Sequence, residues 1–199
     1  VANYVEGTED STPGVVRELA ARDPRIACST LPKKGMMGWD MRSGLALARG
    51  RHLAVIDGDG QVRVEDLARV YRKLLADHLD IAKASRITRG DGPVRWAMSR
   101  VFNALFRALF PGLGIRDVNA KPKIITRAAF ARLRLESDDW FIDAEIMIQA
   151  RRLGLRIGEV ETEFLDLTGR RSFIDARAVL EFLKNLARFR AREFREHRQ

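Results

Sequence analysis

Two carboxylates one residue apart, Asp57 and Asp59, end an apolar run at residues 53–56, and glycines separate and follow them. The run reads as a buried strand. In an open α/β sheet, ligands bind beyond the carboxyl ends of strands. Paired carboxylates there, on glycine-bearing backbone, suit a hard divalent cation such as Mg²⁺ or Mn²⁺, and such cations also bind substrate phosphates. These residues therefore point to chemistry on a phosphorylated substrate. Two plainer readings compete. Asp-Gly is a hairpin signal, with residues 61–64 as the return strand. An EF-hand loop opens with the same spacing, but Ala68 stands where its last acidic ligand belongs.

A second acidic pair, Asp143 and Glu145, falls at the start of an expected helix. Both suit the positive end of the helix dipole without any chemistry. Arg86, Arg89 and Arg95 bracket Gly90-Asp91-Gly92, and Arg127, Arg170 and Arg171 are further basic candidates. Arginine's planar fork suits capture of an acceptor phosphate. The plainer reading is a solvated basic loop.

The elements that must position these groups alternate in type. Helices are expected at about 13–21, with Thr12 as N-cap and Pro13 in the first turn, and at 40–48 and 64–76. Strands are expected at 25–30, 53–56 and 81–85. This alternation predicts a parallel α/β sheet. Apolar residues at helical spacing mark 94–110, ended by Pro111 and Gly112. A strand at 123–125, a short helix at 127–133, a helix at 143–153 and a strand at 156–164, with Gly158 at a bulge, follow. The final helix spans about 175–196. The expected organisation is a catalytic domain over 1–174 and a basic amphipathic C-terminal helix over 175–199.

The whole chain has 199 residues and a net charge of +9. That length suits one domain with a substantial core. The charge is uneven. Residues 86–110 carry five basic side chains and one acid, and residues 170–199 carry nine and four. Localised positive charge selects an anionic partner: a phosphorylated lipid, a membrane surface or nucleic acid. The stretches 94–110 and 175–196 are either core-facing helices or helices lying on an anionic membrane, with Trp96 and Phe102 near headgroups. No apolar run approaches the roughly 20 residues of a membrane span. A single cysteine, Cys28, excludes an internal disulfide.

Taken in order, Lys34-Gly-Met-Met-Gly-Trp-Asp-Met-Arg-Ser-Gly44, Ala48-Arg-Gly50 and Asp57-Gly-Asp-Gly-Gln61 resemble the family 2 glycosyltransferases. The likeness is to the dolichol-phosphate mannosyltransferase-like branch, which makes polyprenyl-phosphate sugars. Residues 5–12 resemble a degenerate D-D-G-S-T-D-G-T turn, and 117–127 the D-x-x-S-G-F-x-x-x-R segment. Residues 141–145, Gly154 and 159–164 resemble the acidic helix start and the strand after it.

The resemblance implies a GT-A (Rossmann-like) fold, a mostly parallel sheet flanked by helices. It implies an inverting transfer from a nucleotide-sugar, GDP-mannose or a UDP-sugar, to a dolichyl or undecaprenyl phosphate at the cytoplasmic membrane face. Asp57 and Asp59 would hold Mg²⁺ or Mn²⁺ on the diphosphate. Glu6, Lys34, Gln61 and Ser172 would contact the donor, with Phe173 where a lysine is common. Asp143 matches the family's basic aspartate, with Glu145 second. Arg86, Arg89, Arg95, Arg127 and Arg171 would meet the acceptor phosphate. The family begins with a further strand and helix, about 40 residues by the size of such a unit, so these 199 residues are expected to be a fragment. The rival functions are a non-catalytic basic module on anionic lipid or nucleic acid, and a nucleotidyltransferase. The glycosyltransferase reading expects no nucleic-acid partner.

Overall fold

The computed structural model describes residues 1–88, 93–163 and 176–196; for 88, 93–95, 176–178 and 196 only the backbone is described. Helices and strands follow as α1 (Thr12–Arg22), α2 (Met37–Leu47), β1 (His52–Val55), α3 (Val64–Ala76), β2 (Ile81–Thr88), α4 (Pro93–Leu109), β3 (Lys123–Thr126), α5 (Arg127–Arg132), α6 (Ile142–Arg152), β4 (Ile157–Glu163) and α7 (Ala176–Glu196). The α3 boundaries are those the sequence predicts. Its Val70 and Leu74 are buried, Glu65 and Asp66 sit at its positive end, and Lys73 sits in its last turn.

The sheet order is β1-β3-β2-β4. β3 runs antiparallel to both β1 and β2, and β2 pairs with β4 in parallel. Three strands thus share one direction and β3 opposes them, so the sheet is mixed, with most strands aligned as expected and the reversal at β3. The reversal has a positional consequence. The carboxyl end of β1 and the amino end of β3 lie side by side, with Val55 opposite Lys123.

Side chains alternate across the sheet as the pleat requires. Leu53, Ile81 and Ile125 face a large core with α2, α4, α6 and α7. Ala82 and Ile124 face a smaller core with α3. The result is a three-layer α/β/α arrangement. Phe102, Phe182, Phe141 and Phe189 join α4, α6 and α7 through successive ring contacts of 5.0 to 5.7 Å.

Several local expectations change. Residues 25–30 form no strand. Residues 2–4 run beside 29–33 through a few backbone hydrogen bonds and one parallel bridge, Tyr4 to Pro32, where the proline lacks a donor. Ser11, not Thr12, precedes α1, and Asp10 Oδ1 accepts from the Thr12 amide at 2.9 Å. Residues 61–63 are not a strand and Val64 opens α3, so the hairpin reading of Asp57-Gly58 falls. The irregular register lies at Arg86/Thr88. Gly158 pairs regularly, and a side chain there would run into Leu79.

Candidate functional site

Asp57 leaves the carboxyl end of β1 with its side chain 38% exposed. Two residues on, Asp59 Oδ1 accepts the amide of Gln61 at 3.1 Å, closing a turn around Gly60. Gly60 has φ +75°, a left-handed value that favours glycine. The sequence Asp-Gly-Asp-Gly-Gln thus makes a turn just past the strand end, with Asp59 held by its own backbone.

The start of β3 meets them there. Within β3, Lys123 falls on the same side as Ile125, toward α6, and Lys121 lies just before the strand, across the cis Lys121–Pro122 bond. Both ammoniums are buried, and both meet Asp143, which is 0% exposed. Lys123 Nζ lies 2.5 Å from Asp143 Oδ1, and Lys121 Nζ lies 3.0 Å from Oδ2. Lys121 also reaches Asp57, 3.3 Å from Oδ1 and 3.4 Å from Oδ2, and Met37 Sδ at 3.3 Å. One chain of charges therefore runs from the buried start of α6 to the half-open strand end.

Burial penalises every charge in this chain, so the partners decide its state. For Lys121, burial lowers the pKa, but Asp143 and Asp57 outweigh it and hold the ammonium above its ordinary value. For Lys123 burial wins despite Asp143, and the pKa falls to about 8. For Asp143, burial works against ionisation, and the two lysines overcome it, leaving the carboxyl below its ordinary value. Lys83, opposite Lys123 across the sheet, is likewise lowered by burial. It donates to Ala84 O, Asp117 O and Glu159 Oε1.

The remaining candidates separate. Glu145 is fully buried, and its oxygens accept the amides of Glu136 and Ser137 at 2.9 and 2.8 Å. It holds that segment in place, and a carboxylate so committed is not a proton acceptor. Arg86 grips Asp117 through two bonds, 2.7 and 2.9 Å, and is mostly buried, so its fork is occupied. Arg127 donates to Gly50 O and Ala48 O. It lies beyond Thr126, which pairs with His52. That is the opposite end of β1 from Asp57, about 15–20 Å away at the rise of a strand. Arg127 is therefore not an acceptor-site residue. Glu6 is exposed in the turn at 5–8, and Lys34 is exposed ahead of α2. No contact described joins either to the Asp57 cluster. Arg89, Arg171 and Ser172 lie outside the described residues, as does the side chain of Arg95.

Reading residue types missed Lys121 and Lys123. Lys-Pro-Lys looks like a solvated turn; for Lys123 the available signal was its two-residue spacing from Ile125, which places it on a core-facing side, and Lys121 carried no such signal.

Asp57 and Asp59 present hard oxygen donors, and no third His, Cys, Asp or Glu joins them among the described residues. A Mg²⁺ or Mn²⁺ ion there would draw its other ligands from water or phosphate oxygens, the usual pattern for Mg²⁺. The half-exposed Asp57 leaves room for them, so the residues fit such a cation.

The sequence matches the family model for Glycosyl transferase family 2 over residues 6–141, more than half of the chain. Glycosyltransferase AglD of Haloferax volcanii is 30% identical over 165 residues, covering 80% of this chain and 26% of that protein. The dolichyl-phosphate beta-glucosyltransferase of Dictyostelium discoideum is 26% identical, covering 94% and 61%. Dolichyl-phosphate beta-glucosyltransferase ALG5D of Trichomonas vaginalis is also 26% identical, covering 82% and 54%. The chain thus spans only part of the length of these relatives. Glucosyl-3-phosphoglycerate synthase of Mycobacterium tuberculosis, solved with phosphoglyceric acid, superposes with a TM-score of 0.66 at 21% identity, over 93% of this chain and 66% of that one. That likeness places the α/β sheet and its helices in the GT-A fold. With the family match spanning the Asp57–Asp59 strand end, the chain belongs to glycosyl transferase family 2.

Proposed function

We propose that this chain carries the donor site of an inverting hexosyltransferase that moves a sugar from a nucleotide-sugar to a polyprenyl phosphate. The observation that carries the reading is the Asp57–Asp59 strand end, half open and backed by a buried lysine-aspartate cluster. The polyprenyl phosphate rests on the names of the dolichyl-phosphate relatives.

A divalent cation on Asp57 and Asp59 would act as a Lewis acid, stabilising charge on the departing diphosphate. The chain's own residues set the rest. Gln61 and Gly60 fix the orientation of Asp59. Lys121 fixes Asp57 against Asp143. Asp143 is ionised but enclosed by two ammoniums, so its part is to place those lysines rather than to take a proton. A phosphate acceptor arrives already ionised and needs little proton abstraction, which agrees with the absence of an exposed base at Asp143 or Glu145.

Exposed Trp96, Met98 and Val101 on α4, and Leu180 and Leu183 on α7, stand among arginines. This supports contact with an anionic membrane surface, which we propose is the inner, cytoplasmic face. No helix among the described residues is long and apolar enough to cross a membrane.

Calorimetric titration with GDP- and UDP-sugars plus Mn²⁺ tests the reading. Binding of one donor, abolished by Asp59→Ala, is expected; no binding of any donor would sink it.

A further inference from the structure

The lysine at position 121 is placed where a loose cation would otherwise go. Its ammonium touches both oxygens of Asp57, one oxygen of Asp143 and the sulfur of Met37, while its side chain is only 4% exposed. The 3.0 Å contact to Asp143 is shorter than the 3.3 and 3.4 Å contacts to Asp57. Asp143 therefore anchors the lysine from below, and Asp57 shares it from the open side. Asp143 cannot absorb the whole charge of Lys121, because its other oxygen holds Lys123 at 2.5 Å.

We propose that Lys121 is a built-in counter-ion of the donor site, neutralising Asp57 before any ligand arrives and competing with a divalent cation for that carboxylate. The inference rests on the donor-site reading above and extends it. Two consequences follow from Coulomb's law alone. A diphosphate approaching without metal meets one fewer uncompensated carboxylate. A divalent cation approaching Asp57 meets an ammonium already there, and is held less tightly than two carboxylates alone would hold it. The site is then less dependent on metal than its Asp-x-Asp spacing suggests.

The experiment is calorimetric titration of the full chain with UDP and with GDP, in Mn²⁺ and in EDTA, for the native protein and Lys121→Met. The native protein should bind one nucleotide in EDTA within about tenfold of its affinity in Mn²⁺, and in Lys121→Met that gap should widen by a further tenfold or so, since a tenfold ratio needs only a modest change in local electrostatics. Direct Mn²⁺ titration by electron paramagnetic resonance should show tighter binding to Lys121→Met. The same gap in both proteins overturns the proposal. So does a native protein that binds nucleotide only with metal, a result that needs no variant and stands even if Lys121→Met does not fold. Failure to bind either nucleotide under any condition instead overturns the donor-site reading itself.

Discussion

Lys123 carries an ammonium with no exposure to water, and its pKa falls to about 8. A lysine free in the unfolded chain titrates near 10.5. The folded value is depressed, so between about pH 8 and 10.5 the unfolded chain binds more protons. The contribution of Lys123 to stability is therefore complete above 10.5 and is lost as pH falls through 8. NMR of lysine Cε carbons should show one resonance titrating near pH 8, absent in Lys123→Met, while exposed lysines titrate about two units higher. The paired carboxylates Asp57 and Asp59 were legible from residue type and the strand before them. The buried lysines beside Asp57 and Asp143 were not, because a Lys-Pro-Lys run looks exposed; strand parity turns Lys123 inward, and only the fold buries Lys121. Arg86 was misread for the converse reason: nothing in the local sequence announces Asp117, 31 positions away, as its partner.

At the scale of elements, α2 has no side-chain cap. Its first amides instead find backbone carbonyls of a distant loop: Met36 N and Trp39 N donate to Asp138 O, and Gly38 N to Asp139 O. The helix can press this close only because position 38 has no Cβ, which would lie 2.6 Å from Asp139 O. Gly38→Ala forces two backbone segments apart and should destabilise by about 1–3 kcal/mol, as overpacking does, read from denaturant unfolding. Arg127 performs a similar tie at the other end of α2, through Ala48 O and Gly50 O. Arg127→Met should lower stability by at most about 1 kcal/mol, because both bonds are exposed and water takes the guanidinium's place, while nucleotide affinity stays as in the native chain. A fall in nucleotide affinity at unchanged stability would return Arg127 to the site. Most helices and strands were readable because their apolar period is local. The direction of β3 was not, since a strand's alternation is the same read either way, and only the Val55–Lys123 register reveals it. Residues 25–30 have strand-like composition but find no ladder to join.

Across the whole molecule, the positive charge and the apolar side chains left on α4 and α7 belong together. The inward faces of these helices are core: Phe106, Phe110, Leu186 and Phe189 are at most 4% exposed. The core-facing reading of both stretches thus holds for one side, while Trp96, Val101 and Leu180 remain 48%, 68% and 53% exposed on the others. Flotation with vesicles containing anionic lipid should recover the chain, and replacing Trp96 and Val101 with glutamate should reduce recovery severalfold; equal flotation on neutral vesicles would remove the electrostatic part of the account.

Phe141 sits two positions before Asp143 and is also the ring against which Phe182 and Phe189 close. The same short stretch thus anchors α7 and aims a fully enclosed carboxylate. Local opening events should respect that sharing. Amides in 141–148 and in 182–190 should exchange with deuterium at matching rates, as one cooperative unit, and Phe141→Leu should quicken both sets together. Anything that tugs on the far end of the chain would be felt, through one aromatic ring, at the floor of the charge cluster.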